Sequence, residues 1–220
     1  MGTLTTTSEN MIRVPLERLV ILNNVSWETY DKLQADLANQ SSARLTYDRG
    51  TLEIMSPSNE HEIYNRTIAL LVEVLAEEME IDIASLGSST FKREDLERGF
   101  EPDSCFYIKN EFRITGKIQI DLKVDPPPDL VIEVDITSGS LPKFPIYAQI
   151  GVPEIWRYDG RRLYIYQLAG DSYGQSEHSE AFPWLTGSVL TDLLDKSKTL
   201  KRTALLRSFR EIIGEERARR

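Results

Sequence analysis

The run Asp129-Leu130-Val131-Ile132-Glu133-Val134-Asp135-Ile136 narrows the folds open to this chain more than any other stretch. Alternation with period two puts Leu130, Ile132, Val134 and Ile136 on one face of a strand. Asp129, Glu133 and Asp135 fall on the other, with Val131 between them. A segment this rich in β-branched residues belongs inside a sheet, where a carboxylate is costly unless something compensates it. The available compensators are a metal ion, a lysine, or water at a cleft. Acids on an inner strand are therefore the first place to look for chemistry.

The rest of the chain supplies a setting for that strand. Ser26 reads as the cap of a helix running to about Asn39. Arg44 to Tyr47 and Leu52 to Met55 flank Asp48-Arg49-Gly50, a hairpin signal. A long helix is expected from about Asn59 to Glu80. Its polar stripe is Glu62, Arg66, Glu73, Glu77 and Glu80, and Ile63, Ile68, Leu71, Val72, Leu75 and Met79 help fill a broad apolar face. Strands are expected around Ile81–Leu86, Thr90–Arg93 and Ser104–Ile108, and the segment Phe112–Leu122 is polar and peripheral. Pro126-Pro127-Pro128 feeds extended chain into the acidic strand. Thr137 to Ser140 reads as a loop. A helix then runs to Ile150, its start left open by Pro142 and Pro145. Glu154–Tyr158 and Leu163–Leu168 form a hairpin about Asp159-Gly160. From about Ser188 the chain is helical and increasingly basic. Strands, a helix and more strands in one unit predict a mixed α/β layered fold.

Composition removes several function classes. No apolar run approaches the roughly 20 residues of a membrane helix, and the Thr-rich start lacks the basic and apolar parts of a signal peptide. The single cysteine, Cys105, excludes an internal disulfide and makes a reducing cytoplasm the default. It sits in an apolar strand, where a structural thiol is expected rather than a nucleophile. A net charge of −9 argues against a general nucleic-acid coat protein, though not against a nuclease whose acidic pocket takes divalent cations. With two histidines and one cysteine there is no zinc-ligand spacing. Neither a Gly-x-Ser-x-Gly elbow nor a phosphate-cradling loop occurs.

Carboxylates and lysine remain. Glu101-Pro102-Asp103 leads into a strand, Asp103 precedes Glu133 by 30 positions, and Lys143 follows Glu133 by ten. Two acids on adjoining strands with a lysine nearby suit phosphodiester hydrolysis. Hard oxygens hold Mg²⁺ or Mn²⁺, the ion acidifies a bound water, and the lysine orients that water or steadies charge.

At these residues a family resemblance enters. "GTLEIMSPSNEHE", "EPDSCFYI", "PPPDLVIEVDITSGS" and "IYAQIGVPEIWRYDG" together resemble the Uma-type putative restriction endonuclease family, across roughly Val25 to Leu185. The resemblance implies a restriction-endonuclease-like core, a central mixed β-sheet flanked by helices, with a Mg²⁺-dependent DNA cleavage site. Asp103 matches the Pro-Asp acid and Glu133 the second acid. The wider superfamily has lysine two positions after the second acid, where this chain has Asp135; Lys143 matches the lysine that the family carries in the next helix region. Asp135 shares the face of Glu133, so it is a third ligand or a loop-facing cap of Thr137. Superfamily nucleases often add an acid on the preceding helix, a place for Glu62 or Glu60; Glu62 also fits as a capping partner of Asn59 and an ion pair with Arg66. His61 fits a helix-edge position better than the site, and Trp156 and Tyr147 read as core.

The expected organisation is an N-terminal arm over 1–24, a nuclease domain over 25–187 and a basic helical tail over 188–220. DNA is the expected substrate, with Lys92, Arg93 and the tail as candidates for its path, and a homodimer follows by analogy. Two rivals stand beside this reading. One is a non-catalytic binding or assembly module that keeps the fold. The other is a metal phosphoesterase acting on RNA or small nucleotides.

Overall fold

Two β-sheets meet where the chain passes through Glu101-Pro102-Asp103, and that crossing organises the molecule. The computed structural model describes residues 18–37, 43–136 and 141–219. The first sheet is antiparallel, in the order β1 (Arg18–Leu22), β3 (Thr51–Ser56), β2 (Arg44–Asp48), β6 (Arg98–Phe100), β5 (Phe91–Arg93). The β2–β3 hairpin turns through Arg49 and Gly50, both at positive φ (45° and 91°), the two-residue geometry that matches strand twist. Helix α1 (Trp27–Leu37) lays Tyr30 on this sheet, stacked on Tyr47 with ring centroids 4.8 Å apart. Ser26 caps it, its Oγ accepting from the Thr29 amide at 3.2 Å. The expected end at Asn39 lies outside the described residues, as does the loop at 137–140.

The second sheet is mixed: β11 (Ser172–Ser176), β10 (Leu163–Ala169), β9 (Glu154–Tyr158), β8 (Leu130–Val134), β7 (Ser104–Tyr107), β4 (Ala84–Ser85). Among the described residues only β8 and β9 are parallel neighbours, with helix α4 (Phe144–Ile150) between them in the chain. Strand β8 is the acidic strand of the sequence, and its faces divide as the alternation requires. Leu130, Ile132 and Val134 pack with Ile68, Leu71, Val72 and Leu75 of helix α2 (Asn59–Glu78). Val131 faces the other layer with Tyr147 and Ile146 of α4 and Phe100 of β6.

Several expectations need correction. Helix α2 is capped by Ser58, whose side chain accepts from the His61 amide at 3.0 Å, so Asn59 is not the cap. Ile63 is 62% exposed, because its helical neighbours Asn59, Glu60 and Arg66 all face solvent. The strand expected over Ile81–Leu86 shrinks to Ala84–Ser85. Pro145 occupies the first turn of α4, and Pro142 precedes the helix. Between β7 and β8 lies the short α3 (Glu111–Ile114); Phe112 and Ile118 are exposed here, as a peripheral segment predicts, while Ile114 and Leu122 reach the core.

Residues 188–220, expected as a tail, do not pack as an appendage. Helices α5 (Gly187–Ser197) and α6 (Arg202–Ala218) bury Leu190, Leu193, Leu194, Leu205, Phe209 and Ile213 in the same cluster as Ile132 and Val134. Two of their arginines form ion pairs: Arg210 reaches Glu78 of α2 at 2.6 Å and Arg219 reaches Glu216 at 2.6 Å. No helix among the described residues is long and apolar enough to cross a membrane.

Candidate active site

Strand register brings the two principal acids together. β7 and β8 pair antiparallel with Ser104 opposite Ile132. The ladder ends there, one residue short of Asp103 and Glu133, and the two carboxyls lie close enough for the Asp103 charge to raise the Glu133 carboxyl. The crossing that delivers Asp103 is pinned by its neighbour Glu101, whose carboxylate accepts from the Leu45 amide (2.8 Å) and the Thr90 hydroxyl (2.6 Å).

Asp103 is fully buried and every approach to it is polar. Its Oδ2 accepts from the Val134 amide (2.6 Å), and His61 Nε2 lies 3.1 Å from the same oxygen. Its Oδ1 accepts from the Arg44 guanidinium at 2.5 Å. Burial disfavours the charge, but His61, Arg44 and Lys143 outweigh it and hold the carboxyl below the usual carboxylate range. Asn65 of α2 steadies the backbone, donating to the Asp103 carbonyl at 3.0 Å.

Glu133 has a different environment. Lys143 folds back from the start of α4 and places Nζ 2.7 Å from Oε2. The Tyr147 hydroxyl donates to Oε1. Burial raises the carboxyl above its ordinary value, against the opposing pull of Lys143. For Lys143 burial works against the ammonium, but Glu133 and Asp103 outweigh it and keep the side chain protonated. The two acids thus sit in one electrostatic unit with different proton affinities.

The remaining expected residues are distributed around this pair. Asp135 lines the cleft with Glu133 but is held by Arg157 of β9 at 2.5 Å. Glu62 touches Arg44 at 2.6 Å and, as expected, Arg66 at 3.6 Å, so it joins Asp103 through a shared arginine. Glu60 is exposed at the start of α2. Lys92 pairs with Asp31, and Arg93 with Asp95 at 2.6 Å, both on the far edge strand of the first sheet.

The structure adds residues that the sequence reading missed. Glu53 of β3 is 1% exposed and lines the cleft of about 350 Å³ that also holds Glu133, Asp135 and Lys143. It accepts from the Leu141 amide, and burial raises its carboxyl above the ordinary value. Flanked by Leu52 and Ile54, it met the same criterion that singled out Glu133. Arg44 opens β2 among Ala43 and Leu45, an apolar setting that marks a paired cation. Tyr147 is core, as expected, yet its hydroxyl belongs to the site. His61 is buried against Asp103 rather than at a helix edge.

Among the described residues no group of three or more His, Cys, Asp and Glu side chains is arranged to hold a metal. The donors that do meet are two hard carboxylates, each already in contact with a protein cation, which marks the positive charge the pair requires. Such a pair fits Mg²⁺, which takes one or two carboxylates and completes its shell with water and phosphate oxygens.

The mixed sheet and the helices packed on it form a nuclease-like α/β fold. A crystal structure described as a putative nuclease belonging to DUF820 from Anabaena variabilis ATCC 29413 shares that fold, with a TM-score of 0.52 and 14% identity over 76% of this chain and 98% of that one. The family model for Uma2, described as putative restriction endonuclease, matches residues 27–194, and the chain belongs to that family. Among curated proteins nothing matches the chain.

Proposed function

We propose that the protein is a divalent-metal-dependent nuclease that hydrolyses phosphodiester bonds in DNA. The observation that carries this is the buried pair Asp103 and Glu133 in one electrostatic unit, with Lys143 2.7 Å from Glu133, in a chain of the Uma2 family. Asp103 and Glu133 are the residues that would hold Mg²⁺ or Mn²⁺. When bound, the ion supplies Lewis-acid stabilisation of the phosphate and a more acidic water.

The protein's own groups do the rest. Lys143, kept protonated, offers a cation and a donor to the phosphate or to the attacking water. Tyr147 and Lys143 together fix the Glu133 carboxylate, one on each oxygen. The Val134 amide and His61 fix Asp103 Oδ2. Arg157 holds Asp135 and thereby keeps a third negative charge from competing for Lys143. Preorganised groups of this kind need no rearrangement when charge develops.

One observation favours a second reading, a non-catalytic binding module: both acids are already neutralised by Arg44 and Lys143. Incubating purified protein with plasmid DNA, single strands and RNA in Mg²⁺ or Mn²⁺ separates the readings. Cleavage of DNA that is lost in both Asp103→Asn and Glu133→Gln supports the nuclease. Cleavage that survives both changes sinks the assigned site, and cleavage of RNA alone transfers the activity to a different substrate.

A further inference from the structure

Arg44 is assigned no role by the chemistry above, yet three side chains at the site hold it. It belongs to β2 of the first sheet and is buried. Its guanidinium donates to Asp103 Oδ1 (2.5 Å), Glu62 Oε1 (2.6 Å) and Ser88 Oγ (3.3 Å). Asp103 Oδ2 is already taken by Val134 and His61, so Oδ1 is the oxygen left for an incoming cation, and Arg44 occupies it. A guanidinium cannot give up its proton to make room. Two positive charges on one oxygen repel strongly, so Arg44 in this position opposes a divalent ion there.

A destination exists beside it. Arg44 lines a cavity of about 380 Å³ with Asp103, Glu62, Glu73, Arg66 and Arg202, the last two solvent-exposed. Its fork of donors matches a phosphate as well as a carboxylate.

We propose that Arg44 is a resident counter-cation of Asp103 that opposes metal binding in the free protein and transfers to a phosphate of the bound strand, so that metal and nucleic acid load together. This rests on the nuclease reading and specifies how that site is controlled. Without a strand, Arg44 keeps the buried acids paired and the site closed to metal. With one, the phosphate replaces Asp103 and Glu62 as its partner and frees Oδ1.

The test is Mn²⁺ binding to metal-free protein, followed by electron paramagnetic resonance, with and without a phosphorothioate oligonucleotide that resists cleavage. Thermal melts confirm that each variant is folded. Without oligonucleotide, Arg44→Gln should bind Mn²⁺ about tenfold more tightly than the wild type. Arg44→Lys, which keeps the charge, should bind as weakly as the wild type. Oligonucleotide should tighten Mn²⁺ binding about tenfold in the wild type and much less in Arg44→Gln. Equal Mn²⁺ affinity in wild type and Arg44→Gln, with binding lost in Asp103→Asn, would overturn the proposal and leave the nuclease reading intact. If Arg44→Gln does not fold, a wild type whose Mn²⁺ affinity ignores the oligonucleotide overturns it equally. Mn²⁺ binding by no protein under any condition would sink both.

Discussion

Replacing Lys143 by methionine tests the electrostatic design of the site without any substrate. The ammonium lies 2.7 Å from Glu133, with side-chain exposures of 12% and 7%, so solvent screens the pair little. Methionine fills similar space but leaves Glu133 with Tyr147 as its remaining donor. Stranding one partner of a buried ion pair costs about 3–5 kcal/mol. That cost depends on pH, because burial then acts on the carboxyl with only the Tyr147 hydroxyl to oppose it, and the folded protein binds a proton more readily than the unfolded chain.

A raised carboxyl contributes its full stability below its ordinary value of 4.5 and loses it as pH rises. Each pH unit is worth about 1.4 kcal/mol, so lowering pH from 8 to 5 recovers at most about 4 kcal/mol. Urea denaturation in EDTA should therefore show Lys143→Met destabilised by about 3–5 kcal/mol at pH 8 and by about 1 kcal/mol at pH 5. Adding Glu133→Gln should restore most of the loss at pH 8, because the charge that was stranded is gone. A loss that is equal at the two pH values, or below about 1 kcal/mol at pH 8, would refute the argument.

Three further substitutions probe the scaffold. Glu154 accepts from Ser179 Oγ (2.6 Å), the Trp156 indole (2.5 Å) and the amides of Glu180 (2.6 Å) and Ala181 (3.0 Å), so Glu154→Ala should cost about 3 kcal/mol in denaturant melts by stranding those donors. Phe209→Ala removes a fully buried ring from the core cluster; a loss of about 3–5 kcal/mol is expected, lowering Tm by roughly 10 °C. A Cβ at Gly99 would lie 2.1 Å from the Tyr30 hydroxyl, and Tyr30 is locked against Tyr47, so Gly99→Ala should destabilise by about 1–3 kcal/mol, with part of that recovered in combination with Tyr30→Phe.

What was legible in the sequence was local. The Asp48-Arg49-Gly50 hairpin follows from turn chemistry, and α2 follows from its period. The two-faced character of β8 follows from alternation, and its acids stood out because Glu133 interrupts an apolar strand. The partners of those acids were legible only where a motif tied them to a position, as for Asp103 and Lys143. Arg44 and Glu53 come from the other sheet, and nothing in their immediate neighbourhood fixes which strand crosses Asp103. The same limit explains Ile63, whose helical face is exposed, and the strand at Ala84–Ser85, which pairs with only Tyr107 and Phe106 of β7. The tail read as helical and basic because its charges are conspicuous; its leucines and Phe209 join the core cluster.

The central claim is that Asp103 and Glu133 serve one divalent ion. Anomalous diffraction from crystals grown with Mn²⁺ and an uncleavable oligonucleotide tests it most directly. One anomalous peak should lie within about 2.2 Å of an oxygen from each carboxylate, with Arg44 displaced from Asp103. A peak bound elsewhere, or Arg44 still seated on Asp103 beside a fully bound strand, would contradict it.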